Sequence, residues 1–217
     1  MAKYSKHVIK LVNGGIFRRV VGDLFHFKKA GRAVKAADDA GAKALKQLDQ
    51  LEAAAAKKWA GVTKRRQKFL GATPSKFSKT GRDVLERMSK ENPSSVRNLP
   101  KGDPSTWTKA QLDRVMIKSP ESGEWFPYKS FDMGHSPVDA VTYWNNVGRF
   151  TEPRSKDVRD WMLDPANYRL QLSDVNQAAG RELGAAGARY QPPLKLPDGI
   201  VLDDKAKATI LDMMKNL

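Results

Sequence analysis

The residues best suited to chemistry lie in the segment Phe131–Pro137, FDMGHSP, where Asp132 is followed three residues later by His135. His135 is the only histidine in the second half of the chain. A histidine titrates near neutral pH and can take a proton from water, while a nearby carboxylate can hold a divalent cation against a phosphate. The pair therefore suits metal-assisted phosphodiester hydrolysis, and turn capping by Asp132 is the structural alternative.

The elements before this segment predict a β-hairpin. Val115–Lys118 and Trp125–Tyr128 favour extended backbone, and the turn-forming cluster Glu121–Gly123 separates them. Asp132 and His135 would then lie at the exit of the hairpin.

A helix is predicted to begin after Ser155 as its N-cap and to end before Pro165. Its apolar residues recur at helical spacing: Val158, Trp161 and Met162. Tyr168–Leu172 alternates apolar and polar residues and predicts a short strand. Asn176 is placed as the N-cap of a second helix that runs through Ala185 and carries Glu182.

Hairpin, strand and helix would bring Asp132, His135, Asn176 and Glu182 to one metal ion, in the arrangement called ββα-metal. Each residue also has a structural interpretation. Asn176 can be simply the N-cap of its helix, with no contact to a metal. Glu182 can be a solvated charge beside a basic neighbour. Arg169 can contact a phosphate or pair with an acid, and the sequence favours neither.

The order of these residues between Val115 and Glu182 resembles the GH-E branch of the HNH/endonuclease VII nuclease superfamily. Members of this family are toxin domains at the C-terminal ends of bacterial polymorphic and contact- or type VI-delivered effectors. The resemblance rests on a set of matching segments: IKSPESGEWFPYKS, Asp132-x-Gly134-His135, Asp164-Pro165 with Asn167-Tyr168-Arg169, and Asn176 followed six residues later by Glu182.

The resemblance implies that His135 is the general base, with Glu182 as a second catalytic candidate, and that Asp132, Asn176 and Glu182 bind the metal. Family members often carry a Ser-His pair between that Asn and Glu, where this chain has Ala178 and Ala179. Without that imidazole the metal would keep oxygen ligands and water, which suits Mg²⁺ first and Mn²⁺ second.

The chain carries a formal net charge of +15, and all of the excess lies in the first hundred residues. Residues 1–100 hold 23 Lys and Arg against 8 Asp and Glu, whereas residues 101–217 hold 16 of each. Such a balance attracts polyanions such as nucleic acid. The stretch Ala40–Phe69 predicts an amphipathic basic helix. The three consecutive basic residues Lys64, Arg65 and Arg66 at its end are candidate substrate contacts. Solvated lysines along a helix are the alternative.

The predicted organisation is a basic helical region (1–70), a linker-like segment rich in Ser and Pro (71–107), and a nuclease-like domain (108–217). Arg82–Ser89 could form a short helix inside the linker-like segment. The fold class is α+β and mostly helical, with a terminal helix over Asp203–Leu217 whose apolar face holds Ala206, Ile210 and Met213 or Met214. The absence of cysteine excludes disulfides and Cys-based zinc sites. The sequence contains no run of eighteen apolar residues, so it predicts no transmembrane helix. Its basic start differs from that of a usual signal peptide.

The sequence thus predicts a metal-dependent endonuclease toxin, with DNA favoured over RNA as substrate. The resemblance further implies delivery into the cytoplasm of a target bacterium by secretion machinery or a parent effector, and a cognate acidic immunity protein. Two alternatives remain open. One is a non-enzymatic nucleic-acid-binding protein with a degenerate nuclease fold, and the other is a membrane-active effector that uses the basic helix.

Overall fold

The computed structural model of the protein describes residues 34–196 and 202–215. The fold is α+β and mostly helical, as expected from the sequence. Its α-helices are α1 (Val34–Lys58), α2 (Arg65–Phe69), α3 (Lys79–Glu91), α4 (Lys109–Leu112), α5 (Ala140–Asn146), α6 (Lys156–Leu163), α7 (Ser173–Ala185) and α8 (Asp204–Lys215).

Five short strands form two antiparallel sheets. The strands are β1 (Val96–Arg97), β2 (Met116–Lys118), β3 (Trp125–Pro127), β4 (Phe131–His135) and β5 (Tyr168–Leu172). The first three form one sheet in the order β1-β2-β3, and β4 pairs with β5 in a separate two-stranded ribbon. The predicted hairpin is confirmed as β2 and β3, and the predicted strand is confirmed as β5. The Asp132–His135 segment is itself a strand, not the loop at the exit of the hairpin.

The chain divides into two compact units, which we describe separately. The helical unit contains the described residues up to Gly71, Ala140–Arg159 and the described residues from Ala186 onward. The mixed unit contains Ala72–Asp139 and Asp160–Ala185. Both sheets lie in the mixed unit, as do the general-base candidate His135 and the three predicted metal ligands Asp132, Asn176 and Glu182.

The core of the mixed unit forms between α3, the three-stranded sheet and one face of the β4–β5 ribbon. Its buried side chains are Val84, Leu85, Trp107, Leu112, Val115, Ile117, Tyr128, Phe131, Met133, Tyr168 and Leu170. Burial of this apolar surface supplies most of the driving force for folding of the unit.

The segment 71–107 contains the short helix expected over Arg82–Ser89, which forms as the longer α3. This helix places Val84 and Leu85 in the core with no exposed surface, so the segment is not only a linker. The Ser and Pro residues that suggested a linker mark the ends of ordered elements. Ser78 is the N-cap of α3 and accepts a hydrogen bond from the amide of Gly81, and Pro93 opens the 3₁₀ turn that follows the helix. The nuclease-like region predicted over 108–217 therefore depends on residues from 72 onward.

The helical unit confirms the apolar face predicted for the basic stretch, with Leu48 buried and Leu45, Ala55 and Trp59 partly buried. The helix is not continuous to Phe69. It ends at Lys58, and α2 begins after Lys64, whose φ of 51° lies in the left-handed region. Residues 1–33 of the predicted basic region lie outside the described residues.

Aromatic rings and the terminal helix complete the core of the helical unit. Phe69 stacks on Trp144 with centroids 4.7 Å apart and meets the edge of Trp59. The terminal helix is confirmed as α8, which buries Ile210 and Met214. In residues 34–196 and 202–215, no helix is long and apolar enough to cross a membrane.

Candidate functional site

Strand β4 carries Asp132, Gly134 and His135, and its register with β5 determines which way each side chain points. Asp132 pairs with Gln171 and His135 pairs with Tyr168. Side chains alternate between the faces of a strand, so residues three apart point to opposite faces. Asp132 and His135 therefore do not share a face of the ribbon. The convergence predicted for these two side chains is wrong in this arrangement.

His135 lies on the face that also carries the core residues Phe131 and Met133. Its imidazole stacks on Trp161, with centroids 5.0 Å apart and an interplanar angle of 7°, and meets Tyr168 at 4.3 Å. Both ring nitrogens are shielded from solvent. An imidazole in this position cannot take a proton from a bulk water without leaving the stack.

The aromatic partners of His135 are fixed by hydrogen bonds to the end of α6. The hydroxyl of Tyr168 donates to the carbonyl of Met162 at 2.8 Å, and the side-chain amide of Asn167 donates to the carbonyl of Trp161 at 2.9 Å. These contacts explain why the Asp164–Arg169 segment holds a defined conformation between α6 and β5.

The opposite face of the ribbon borders a cleft of about 370 Å³ that contains Asp132. The lining residues are Thr73, Pro74, Ser75, Lys76, Phe77, Asp132, Met133 and Asn176. The cleft thus brings an acid, an amide and an ammonium group together, beside the apolar side chains of Pro74, Phe77 and Met133.

Lys76 is the residue of this cleft that sequence reasoning missed, because it lies in the segment predicted as a linker. Its ammonium group donates to the carbonyls of Lys129 and Phe131 at 2.7 and 2.5 Å, and it lies 3.9 Å from Oδ1 of Asp132. Nothing in the local sequence distinguishes this lysine from its neighbours. Only the packing of the segment against β4 brings it to Asp132.

The backbone of Lys76 is held on two sides. Its carbonyl accepts a hydrogen bond from the hydroxyl of Tyr128, and the α-carbon of Gly81 packs against the same residue so closely that a Cβ there would lie 2.1 Å from the Lys76 oxygen. The fold therefore specifies the position of the ammonium group.

Asn176 reaches the cleft because Gly134 has no side chain. A Cβ at Gly134 would lie 2.9 Å from Oδ1 of Asn176 and 1.9 Å from the amide oxygen of Gln171. Asn176 lies inside α7, which begins at Ser173, so its predicted role as N-cap is wrong. Its side chain is available to the cleft because it is not used in capping.

Glu182 is exposed and does not lie beside Asn176. Six residues of α-helix amount to a rotation of about 240° and a rise of about 9 Å. The Glu182 carboxylate therefore points about 120° away from Asn176 around the helix. The predicted convergence of Glu182 on the metal is wrong in this geometry. Ala178 and Ala179 lie between the two residues on α7, which carries no imidazole at these positions.

Within the described residues, no group of three His, Asp or Glu side chains lies close enough to hold a metal ion. The cleft offers one carboxylate, from Asp132, and one amide oxygen, from Asn176. This donor set fits a hydrated Mg²⁺ or Mn²⁺, since Mg²⁺ often keeps several waters and takes only one or two protein carboxylates plus substrate phosphate. Lys76 would have to release Asp132 for such an ion to bind.

The four basic residues predicted to contact substrate have different surroundings. Arg169 lies 3.8 Å from Glu91, so it pairs with an acid at a half-exposed position. Arg65 belongs to the helical unit, where its guanidinium donates to three backbone carbonyls, those of Trp59, Val62 and Tyr190. Arg65 is therefore a structural residue. Lys64 is exposed and Arg66 is partly buried, and both also lie in the helical unit.

Comparison of the chain with protein-family models, with curated proteins and with solved structures found no match. The interpretation of the site therefore depends on its residues and their geometry.

Proposed function

We propose that the protein is a metal-dependent nuclease that hydrolyses phosphodiester bonds, with DNA favoured over RNA. The observation that carries the proposal is the cleft in which Asp132, Asn176 and Lys76 meet where α7 packs on the β4–β5 ribbon. The proposal is supported by two antiparallel strands packed against a helix, the types of element that the ββα-metal arrangement of the resembled family would need.

The three side chains have complementary roles in binding a phosphodiester. Lys76 is a point charge that attracts a non-bridging phosphate oxygen, and the amide of Asn176 supplies a donor and an acceptor. Asp132 and Asn176 would hold the divalent ion. When bound, such an ion neutralises charge that builds on the phosphate and on the leaving oxygen.

His135 is the proposed general base, because it is the histidine nearest to the cleft along the chain. For this role the imidazole must leave its stack between Trp161 and Tyr168 when substrate binds. Catalytic hydrogen bonds are often absent from substrate-free structures and form only in the complex. Because the general-base role requires this movement, substitution of His135 tests the proposed role directly.

The biological setting follows the same resemblance. We propose that the nuclease is a toxin of interbacterial competition, delivered by secretion machinery or a parent effector into the cytoplasm of a target bacterium. The net charge of +15 supports attraction to nucleic acid and to an acidic immunity protein. A nanomolar complex with an acidic protein encoded next to the toxin is the expected result of a binding test.

The test of activity is incubation of the full chain with supercoiled plasmid and total RNA in Mg²⁺, in Mn²⁺ and in excess chelator. We expect cleavage that the chelator stops. His135→Ala should lower the rate by about 100-fold to 10,000-fold, the usual contribution of a general base. His135→Phe is the matched variant, because it keeps an aromatic ring to stack on Trp161 but has no ring nitrogens.

The outcomes separate catalysis from structure. Loss of cleavage in His135→Phe with an unchanged melting temperature supports the imidazole as base. Cleavage by His135→Phe at the wild-type rate would exclude that role. The absence of cleavage by the wild-type chain with every metal tested would contradict the nuclease proposal.

A second candidate is a nucleic-acid-binding protein that does not cleave. It is favoured by the ammonium group of Lys76 beside Asp132 and by the shielded nitrogens of His135. Retention of plasmid on a gel without cleavage under every metal condition would support it.

A further inference from the structure

The three-stranded sheet has a second face, which does not point to the core. Val96, Ile117 and Phe126 face α3 and the core. The residues directly before and after them in the same strands therefore point to the opposite face. We call this set the outer sheet face: Arg97, Met116, Lys118, Trp125 and Pro127.

A basic and aromatic cluster lies on the outer sheet face. The guanidinium of Arg97 lies over the indole of Trp125, with its carbon 3.8 Å from the ring centroid. To do so it reaches from β1 across β2 to β3, since Arg97 pairs with Met116 and Trp125 pairs with Lys118. Arg97 and Lys118 are exposed, and Trp125 is partly exposed.

The charges of this cluster are not neutralised by neighbours. Some basic side chains of the mixed unit pair with acids, as Lys79 does with Asp83 and Lys109 with Asp113. Within the described part of the chain, Arg97 and Lys118 form no ion pair. A partly exposed indole beside two cations without an ion pair matches the chemistry of a nucleotide, in which a flat base is joined to an anionic phosphate.

We propose that the outer sheet face binds single-stranded nucleic acid, with an unpaired base stacked on the Arg97–Trp125 pair and the adjoining phosphate held by Lys118. The guanidinium of Arg97 lies over the indole of Trp125, and both kinds of group stack on bases. A base inside a duplex has its faces covered by its neighbours, so the surface selects unpaired strands. The proposal is independent of cleavage and holds for a nuclease or for a binding protein.

The experiment measures fluorescence anisotropy of a labelled oligothymidine and of a labelled duplex, with the full chain in excess chelator to prevent cleavage. Trp125→Ala should weaken binding of the single strand about tenfold, the loss expected for one stacked base, and should change duplex binding less than about twofold. Trp125→Phe keeps a ring for stacking and should stay within about threefold of wild type.

Charge variants test the phosphate contact. Lys118→Gln should weaken single-strand binding and reduce the slope of log affinity against log salt by about 0.7, the value for one phosphate on a single strand. Lys90→Gln is the matched control. It removes the same charge from α3, which packs on the core side, where Lys90 already pairs with Glu86.

Three results would overturn the proposal: no binding of the single strand by wild type, wild-type affinity in Trp125→Ala, or equal loss for single strand and duplex. Circular dichroism checks each variant. If Trp125→Ala does not fold, Arg97→Gln replaces it, since it removes the exposed half of the Arg97–Trp125 pair and leaves the indole in the sheet. Wild-type affinity in Arg97→Gln would then contradict the proposal.

Discussion

Asp132 and His135 are separated by two residues in strand β4, and their side chains lie on opposite faces of the β4–β5 ribbon. Asp132 lines the cleft together with Lys76 and Asn176, whereas His135 stacks on Trp161 at the edge of the core. The spacing that suggested a shared site thus divides the two groups once the segment is a strand. Any chemistry that uses both requires the imidazole to move and the carboxylate to stay.

The first prediction distinguishes the two α7 residues that the sequence assigned to the metal. Asn176→Ala should lower cleavage at limiting Mg²⁺ by about tenfold or more, in the range seen for loss of a group that supports a metal site. Glu182→Gln should cleave at the wild-type rate, because its carboxylate is exposed and turned away from the cleft. Titration of the cleavage rate with Mg²⁺ measures both effects.

The opposite order of effects would restore the assignment made from sequence. If Glu182→Gln abolished cleavage and Asn176→Ala did not, the metal would bind on another face of α7, and the cleft would not be the active site.

The second prediction concerns the position of Lys76. Tyr128 is fully buried, and burial raises the pKa of its hydroxyl, so the group stays a hydrogen-bond donor to the Lys76 carbonyl. Tyr128→Phe should cost about 1 kcal/mol in urea unfolding and weaken substrate binding as well, because the Lys76 segment loses one anchor.

Thr80→Val provides the comparison for Tyr128→Phe. It removes a buried hydroxyl that donates to the Leu163 carbonyl at 3.1 Å, outside the cleft. The stability cost should be similar and substrate binding unchanged. Equal loss of binding in both variants would show that Lys76 has no special dependence on Tyr128.

The third prediction uses two glycines in helices. Alanine is favoured over glycine in a helix by about 1 kcal/mol. Gly180→Ala in α7 meets open space and should gain up to that amount, whereas Gly81→Ala in α3 would put a Cβ 2.1 Å from the backbone oxygen of Lys76. We expect Gly81→Ala to destabilise the protein by about 3 kcal/mol, since backbone cannot yield as a flexible side chain can. Urea unfolding measures both, and equal stabilisation by the two changes would contradict the packing of Lys76 on α3.

Local elements were predictable from the sequence where pattern and turn chemistry agreed. Tyr168–Leu172 alternates and forms β5 with the predicted bounds, and Ser155 caps α6 through a hydrogen bond from the Val158 amide. Register and long-range packing were not predictable, because they depend on contacts between distant segments. The pairing of β4 with β5 joins residues more than thirty positions apart and turns Asp132 away from His135.

The segment around Lys76 shows the same limit. Its Ser and Pro content indicates turns, and turns occur both in linkers and at the ends of packed helices. The short helix expected over Arg82–Ser89 forms as part of α3, and its apolar residues Val84, Leu85 and Met88 pack in the core. That packing depends on distant segments and was not predictable from the local pattern.

The last prediction concerns pH and the terminal helix α8. Lys207 donates to Asp157 at 2.7 Å and thereby lowers the pKa of that carboxyl, while the same hydrogen bond raises the pKa of Lys207. A lowered carboxyl pKa stabilises the fold above the ordinary value of about 3.9, and this contribution is lost as pH falls through the lowered value. A raised lysine pKa stabilises below about 10.4 and is lost at higher pH.

Asp157→Asn should therefore melt at a lower temperature than wild type at pH 7, by an amount equal to about 0.2–1 kcal/mol, because Asp157 is half exposed and solvent screens the pair. The difference should disappear as the pH falls through the lowered pKa of Asp157, because the wild-type carboxyl then becomes protonated as well. Asp212→Asn changes the same charge on α8, where the contact with Lys215 is 4.0 Å, and should have a smaller effect at pH 7. A deficit for Asp157→Asn that persists unchanged at acid pH would mean that the asparagine disturbs packing, and that the ion pair does not hold α8 in the helical unit.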